Sequence, residues 1–506
     1  MLSQFETTST YRLKLSNFKE VIFCSQEGIS FLRKYNFFIS LLISVVIGAY
    51  YFLSEKIQHG NGLGMDGTLY GAIAQDFYSY LNIRGVHGLN RIFPSFFVHH
   101  LLLFLPVKIT TQSVIYGFIA MNTLCTSIVV YLWNKIADEL DISFLGRIVG
   151  LSALFMNYSV LKWIGYYPVL TDQVAFCLGS CVLYFYLKNQ PLGLIVCLII
   201  GLFTWPTINT MSLILILFPR QDKEKQQSIQ EIYYNNFQDY AFYIRGATIF
   251  LFVYIYYVLV YCSWSPISIY PKNFVGYCFL FFYMAYGMSH LIKNLSWPSL
   301  IIAVKRIFRN KAFWIAFLIY IPINYYQRKR GGQTEGNALI VMVRYALMDP
   351  RLGYYFFFNV VLLTPLFAWT LLRWKFVAQT IAKFGIGATL VFVSIMVLTL
   401  GLEAPASITS LPFIVAFTIK SFDDQVSLSW KNVGVFLILS LWFSRVWMRF
   451  GKLSANPTLY PDNYFYSHLG GFWVDHNFYW IHLGCALMSA WILWNNFKIQ
   501  TIKRSK

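Results

Sequence analysis

Hydrophobic and polar positions do not alternate along this chain; they come in blocks. Continuous apolar runs such as "LVFVSIMVLTLGL" (Leu390–Leu402) are set apart by short polar breaks. A membrane barrel would instead show alternating segments of about ten residues. A helix needs roughly 20 apolar residues to cross a hydrocarbon layer. The blocks predict spans at 35–54, 113–133, 147–161, 172–188, 191–206, 208–219, 246–262, 274–290, 312–325, 353–372, 378–400, 408–420, 433–447 and 477–497. The segments at 208–219 and 312–325 are short and read as tilted or re-entrant pieces. The expected fold class is therefore all-α, a polytopic membrane protein of about 12–14 transmembrane helices.

Composition agrees. The chain is 57% hydrophobic and 12% charged, about half the charged share of a soluble domain. Its formal net charge of +19 reads as Lys and Arg kept on the cytoplasmic side of a membrane. No basic motif interleaved with aromatics suggests a nucleic-acid partner. Seven of the eight cysteines lie in apolar stretches and read as small buried hydrophobes. Residues 1–34, with Arg12, Lys14, Lys19, Arg33 and Lys34, lack a cleavage pattern and read as a cytoplasmic leader.

With the N-terminus inside, 26 of the 40 Lys and Arg fall on inner segments, so both termini are expected in the cytoplasm. The organisation follows: a leader (1–34), an N-terminal module (35–219) with a long first outer loop (55–112), and a C-terminal module (220–506) with outer loops 326–352 and 448–476. One feature resists the charge rule. Segment 326–352 is outer yet carries Arg328, Lys329, Arg330, Arg344 and Arg351. Either the topology breaks there or these charges serve an anionic ligand.

The first outer loop contains "GNGLGMDGTLYGAIAQDFYSYLN" (Gly60–Asn82), with Asp66 and Asp76 in a chain of only 21 acidic residues. Leu69, Tyr70, Ile73, Phe77, Tyr80 and Leu81 recur at 3–4 spacing, which predicts an interfacial helix over 67–83. Asp66 falls at its N-cap position. Ten residues of helix separate the two acids by roughly 15 Å, too far for a carboxylate pair that needs about 5–10 Å. Asp66 is thus the residue placed for chemistry, and Asp172, at the head of the fourth span in "YYPVLTD", is its expected companion on the same side.

Further along, Arg91, His99, His100 and Lys108 supply donors near the interface, suited to a head group or phosphate or to snorkelling. The late loop "NPTLYPDNYFYSHLGGFWVDHNFYW" (Asn456–Trp480) is dense in aromatics, with Asp462, Asp475 and His476. Such a surface suits an aromatic belt at the interface, and also sugar faces and hydroxyls. No cofactor is required by the pattern. Asp475 and His476, joined by another outer carboxylate, form a candidate set for a divalent cation.

The order of these features resembles integral-membrane glycosyltransferases of the GT-C type, in particular bacterial members related to the dolichyl- or polyprenyl-phosphate-sugar-dependent mannosyltransferases. The matching residues are Gly64, Asp66, Gly67, Tyr70, Ile73 and Ala74, then Arg91, Ile92 and Pro94, then Tyr167–Asp172 and "GLFTWPT" (Gly201–Thr207), all within residues 35–210. The chain departs from that pattern where "FTWPT" offers only Thr204, Trp205 and Thr207, and where "GLEAPASITSLP" has Ala and Ser in place of an arginine. The resemblance implies inverting transfer of a sugar from a polyprenyl-phosphate donor to a glycan, lipid or protein acceptor at the outer face of a bacterial inner membrane. In it Asp66 and Asp172 would be the catalytic carboxylates, with Asp66 as the general base. Arg91, Lys108, Arg328, Lys329, Arg330, Tyr70 and His99 would bind donor and phosphate, and Asp462, Asp475 and His476 the acceptor. Two other readings fit the same chain: a polysaccharide polymerase or ligase acting on lipid-linked glycans, and a non-enzymatic lipid or polysaccharide transporter. The last expects charges deep within spans.

Overall fold

The computed structural model describes residues 25–57, 59–80, 89–220, 271–293, 304–305, 307–331, 354–400, 407–426, 428–448 and 476–497. Among them the structure is all-helical, with no strand. Apart from 246–262, which lies outside the described residues, each expected apolar segment is helical, but 147–161, 353–372 and 378–400 are each divided between two helical pieces rather than being one span.

In chain order the helices are α1 (Ser25–Lys34), α2 (Asn36–Leu53), α3 (Met65–Gln75), α4 (Phe77–Tyr80), α5 (Ile92–Phe104), α6 (Thr111–Glu139), α7 (Phe144–Phe155), α8 (Trp163–Tyr166), α9 (Asp172–Leu187), α10 (Pro191–Leu202) and α11 (Pro206–Leu217). The second part contributes α12 (Pro271–Lys293), α13 (Lys311–Gly331), α14 (Tyr354–Leu362), α15 (Leu366–Leu372), α16 (Trp374–Ala382), α17 (Ile386–Leu398), α18 (Leu411–Asp423), α19 (Trp430–Ser444) and α20 (His476–Asn496).

By length and composition two helices among the described residues, α2 and α6, can each cross a membrane; α7 and the following Tyr158–Tyr166, bent by 53°, make either a third, broken span or a re-entrant loop. The bend has an identifiable cause. Asn157 is buried at the break; its Nδ2 donates to the Ala153 and Leu154 carbonyls (3.1 and 2.9 Å) and its Oδ1 accepts the Val160 N–H (2.9 Å). One amide thus caps the helix behind it and starts the one ahead, replacing backbone bonds that the break removes. The segment restarts as a π-helical turn, Tyr158–Lys162, before α8.

Polar groups mark the two ends of the bundle. At one end α6 runs six residues past its expected stop, because the acids of its last turn are held there. Asp138 bonds Arg33 (2.9 Å) and buried Arg147 (2.8 Å), and Glu139 bonds Lys188 (2.5 Å). Asp423 of α18 receives the Ser143 N–H and Oγ–H (2.5 and 2.8 Å), and Lys420 meets Asp424 (3.0 Å). The opposite end gathers the C-termini of α2, α10 and α13 with the N-termini of α3, α5, α9 and α11. Its links are Ile57 N–H to Tyr166 O (2.9 Å), Phe93 N–H to Phe203 O (2.8 Å) and Gln327 Nε2 to Leu202 O (2.7 Å).

Candidate functional site

A left-handed run, Gly60 (φ 62°), Asn61 (φ 56°), Gly62 (φ 94°) and Gly64 (φ 80°), turns the chain from α2 into α3. Glycine is required at Gly64 twice over. Its φ is one that L residues avoid, and a Cβ there would sit 2.2 Å from the Tyr167 ring. Gly67 lies as close: its N–H donates to the Tyr167 hydroxyl (2.8 Å), and a Cβ on it would stand 2.8 Å from the Val169 carbonyl. The first turn of α3 is therefore seated on Tyr167–Val169, and Asp66, between the two glycines, is left exposed.

This corrects two expectations. Asp66 is not the N-cap; Gly64 occupies that position and offers no side-chain cap, so Asp66 lies inside the first turn, where the helix dipole favours a carboxylate. The helix ends at Gln75 rather than 83. Asp76 closes it and its Oδ1 receives the Ser79 N–H (3.4 Å), so Asp76 starts α4 and has no part in the Asp66 cluster.

Beside α3, α5 runs in the same direction. The Ser95 hydroxyl donates to the Tyr70 carbonyl (2.9 Å) and one turn on His99 Nδ1 meets the Ala74 carbonyl (2.9 Å). A carbonyl only accepts, so Nδ1 carries the proton. His99 is buried and joins the far ends of α3 and α5; it does not face Asp66. Lys108 is exposed beyond the end of α5, about 20 Å of helix from Arg91. The structure brings neither His99 nor Lys108 to the Asp66 end.

Arg91 and Tyr70 do converge there. Arg91 Nη1 donates to the Tyr70 hydroxyl (3.2 Å), and its guanidinium carbon lies 4.2 Å from the centroid of the Trp205 ring. Trp205 is buried in the break between α10 and α11, ahead of Pro206 in the first turn of α11. The "FTWPT" break thus supplies a cation-holding aromatic face rather than an acid or base. Its role was not legible as a site signal, since one Trp among fifteen says nothing of what stacks on it.

Asp172, buried, is the first residue of α9. Three groups register its charge together with that of Asp66. Burial pushes the Tyr70 phenol up, Arg91 opposes this, and Asp66 and Asp172 add to it. Burial likewise raises Tyr167, against the Gly67 N–H and with Asp66, Tyr70 and Asp172. For Arg91 burial works against the charge, but Tyr70, Asp172 and Asp66 outweigh it and the guanidinium stays ionised. One cluster therefore holds two carboxylates, one cation and two phenols, drawn from α3, α9 and the chain just ahead of α5 and of α9.

The basic terminus of α13 reaches the same end. Gln327 is buried and bonded to Leu202, three residues before Trp205, while Arg328, Lys329 and Arg330 that follow are exposed. Segment 326–331 thus lies on the side of Asp66, as the spans require; the segment expected as a short piece over 312–325 is part of a 21-residue helix. Asp462, Asp475, Arg344 and Arg351 lie outside the described residues; His476 begins α20, and its side chain is outside them too. Among the described residues no group of three His, Cys, Asp or Glu is arranged to hold a metal ion. No family model matches the chain, and no curated protein or solved structure matches it either.

Proposed function

We propose that the chain is a polytopic protein of a bacterial inner membrane, with both termini cytoplasmic, that transfers a sugar from a polyprenyl-phosphate donor to a glycan, lipid or protein acceptor at the outer face. The observation that carries this reading is the cluster of Asp66, Asp172, Arg91, Tyr70 and Tyr167 at one end of the bundle, with the basic end of α13 at the same end.

The chemistry needs those types. An acceptor hydroxyl has a pKa far above 7, so a positioned base must take its proton as the oxygen attacks the anomeric carbon. Asp66, exposed in the mouth of the site, takes that role. The new bond forms on the face opposite the leaving group, the bond from anomeric carbon to phosphate oxygen breaks, and configuration inverts. Polyprenyl phosphate departs with the electron pair, and cations offset its charge: Arg91 on its Tyr70 and Trp205 supports, and Arg328–Arg330. Buried Asp172 holds Arg91 charged.

The test uses purified protein, a radiolabelled polyprenyl-phosphate sugar and a mixed acceptor extract. Label passes to acceptor with wild type and not with Asp66→Asn that elutes as folded protein; undiminished transfer by that variant overturns the base assignment. Single cysteines at Asp66 and Lys329 react with a membrane-impermeant thiol reagent from outside, and one at Lys188 only from inside. Reaction of the first two from opposite faces overturns the shared site.

One observation favours transport instead: Lys162 is buried within a bent apolar segment, as in carriers built on broken helices. That reading expects substrate uptake by vesicles holding the protein, without any new glycosidic bond.

A further inference from the structure

The end of the bundle opposite Asp66 holds an arginine clasped by two tryptophans. The helix that follows it, α16, is amphipathic at helical spacing. Trp374, Val377, Ala378 and Ile381 are buried, while Lys375, Gln379 and Lys383 are exposed. Such a pattern suits a helix lying at a membrane surface, and the contacts at its two ends agree. Just ahead of it the Trp369 ring stacks on Phe422 in the last turn of α18 (4.5 Å, 10°). Past its far end Lys383 meets Asp424, the C-cap of α18 (3.8 Å). The helix therefore crosses the end of the bundle where Asp423 holds Ser143 and Asp138 holds Arg147.

Arg373 is the residue between α15 and α16, and its N–H donates to the Trp369 carbonyl (2.9 Å). Its guanidinium carbon lies 3.9 Å from the centroid of the Trp494 ring, near the end of α20, and 5.2 Å from that of Trp369. Two indoles on opposite elements fix where the cation sits. Among the described residues no carboxylate and no hydrogen-bond acceptor meets the guanidinium, and Nε is enclosed without one. A guanidinium only donates, and unmet donors out of water are costly. The side chain is half-buried, so the outer nitrogens Nη1 and Nη2 are what it can offer to a ligand. The surroundings say which kind. Leu372 and Trp494 beside the guanidinium are exposed, as is Trp491 one turn back along α20. Lys375, in the first turn of α16, is exposed too. So is Lys431, in the first turn of α19, whose Asn432 donates to the Asn496 carbonyl at the end of α20 (2.7 Å). A free ion gains nothing from an apolar skirt, whereas a lipid lays its chains on it while the head group meets the cations.

We infer that Arg373, held between Trp369 and Trp494, binds the head-group phosphate of an anionic phospholipid in the cytoplasmic leaflet. A phosphodiester presents paired free oxygens that match the planar fork of Nη1 and Nη2, and it is the anion in supply at that surface. The site rests on the membrane placement proposed above but not on sugar transfer, and it lies at the end of the bundle away from Asp66.

The test uses the full chain, first in vesicles and then in uncharged detergent. Flotation with vesicles reports the membrane placement, and a chain that does not float overturns that placement and the site together. For a chain that floats, native mass spectrometry compares retention of phosphatidylglycerol and phosphatidylcholine with the same acyl chains, on wild type, where no variant's folding intervenes. Preferential retention of phosphatidylglycerol is expected, with thermal unfolding raised by a few degrees over the phosphatidylcholine control. Arg373→Gln binds phosphatidylglycerol at least about tenfold more weakly. Arg373→Lys keeps the charge but loses the fork and the stack, and most of the preference goes with them. Arg309→Gln removes an exposed cation ahead of α13, at the same end of the bundle, and leaves the preference unchanged. Equal retention of the two lipids, undiminished binding by Arg373→Gln, or an equal loss in Arg309→Gln overturns the site. A rise with inorganic phosphate over chloride, at equal ionic strength, that matches the rise with phosphatidylglycerol overturns the lipid assignment.

Discussion

Gly64→Ala tests whether Tyr167 positions Asp66. Two costs can be worked out separately. At φ 80° and ψ −172° the backbone lies where essentially only glycine goes, and an L residue there costs about 1–3 kcal/mol. The added methyl would also stand 2.2 Å from the Tyr167 ring, an overlap that must move the ring or α3, at about 1–3 kcal/mol more. If the ring moves, its hydroxyl leaves the Gly67 N–H, which forfeits a further ~1 kcal/mol. The expected loss is roughly 3–7 kcal/mol, measured by denaturant titration in mixed micelles. Tyr167→Leu separates the terms. In that background Gly64→Ala keeps the backbone cost but loses the clash, so it is cheaper by about 1–3 kcal/mol. Tyr167→Phe, which deletes only the hydroxyl, costs about 1 kcal/mol. A Gly64→Ala cost below about 0.5 kcal/mol, or equal costs in the two backgrounds, refutes the seating of α3 on Tyr167.

At the other end of the bundle, Arg147 and Arg33 share Asp138 but differ in burial, 3% against 57% exposed. Arg147→Gln should cost about 3 kcal/mol and Arg33→Gln under about 1 kcal/mol in the same titration; equal costs would refute the contrast. Arg91→Lys keeps the charge but loses the planar stack on Trp205 and the aim at Tyr70, so transfer should fall at least about tenfold with little change in folding; Trp205→Leu should mimic it. For Lys56, just past α2, burial and the charge of Lys162 pull the ammonium down to about 8 in the folded chain against about 10.4 in the unfolded one, so the native state binds fewer protons across that window. Stability therefore rises with pH between about 8 and 10.4 relative to Lys56→Met. A flat difference between the two titrations would show that Lys162 and burial do not act on Lys56.

The helices were legible because lipid-like apolar blocks leave little else to form, and their order alone brought 326–331 to the end that holds Asp66. Boundaries failed where side chains at helix ends decide them. Glu139 extends α6 because Lys188 holds it, and Gln75 ends α3 because Asp76 caps the next turn instead. The same distinction runs through the site. Asp66 and Asp172 could be paired from sequence, since helix rise rules out Asp76 and span counting puts both heads at one end. Lys108 and His99 could not be ruled out that way. Only the parallel course of α5 beside α3 shows that both stand at its far end, His99 on the Ala74 carbonyl. Lys162 was the opposite case. It sat at the edge of an apolar block, where a lysine ordinarily reaches for water. The Asn157 cap turns the chain by 53°, and that bend makes an edge lysine a buried one. Span counting assumes straight helices, so a charge that a bend folds inward is the kind it misses, and in lipid such a charge is costly enough to mark function.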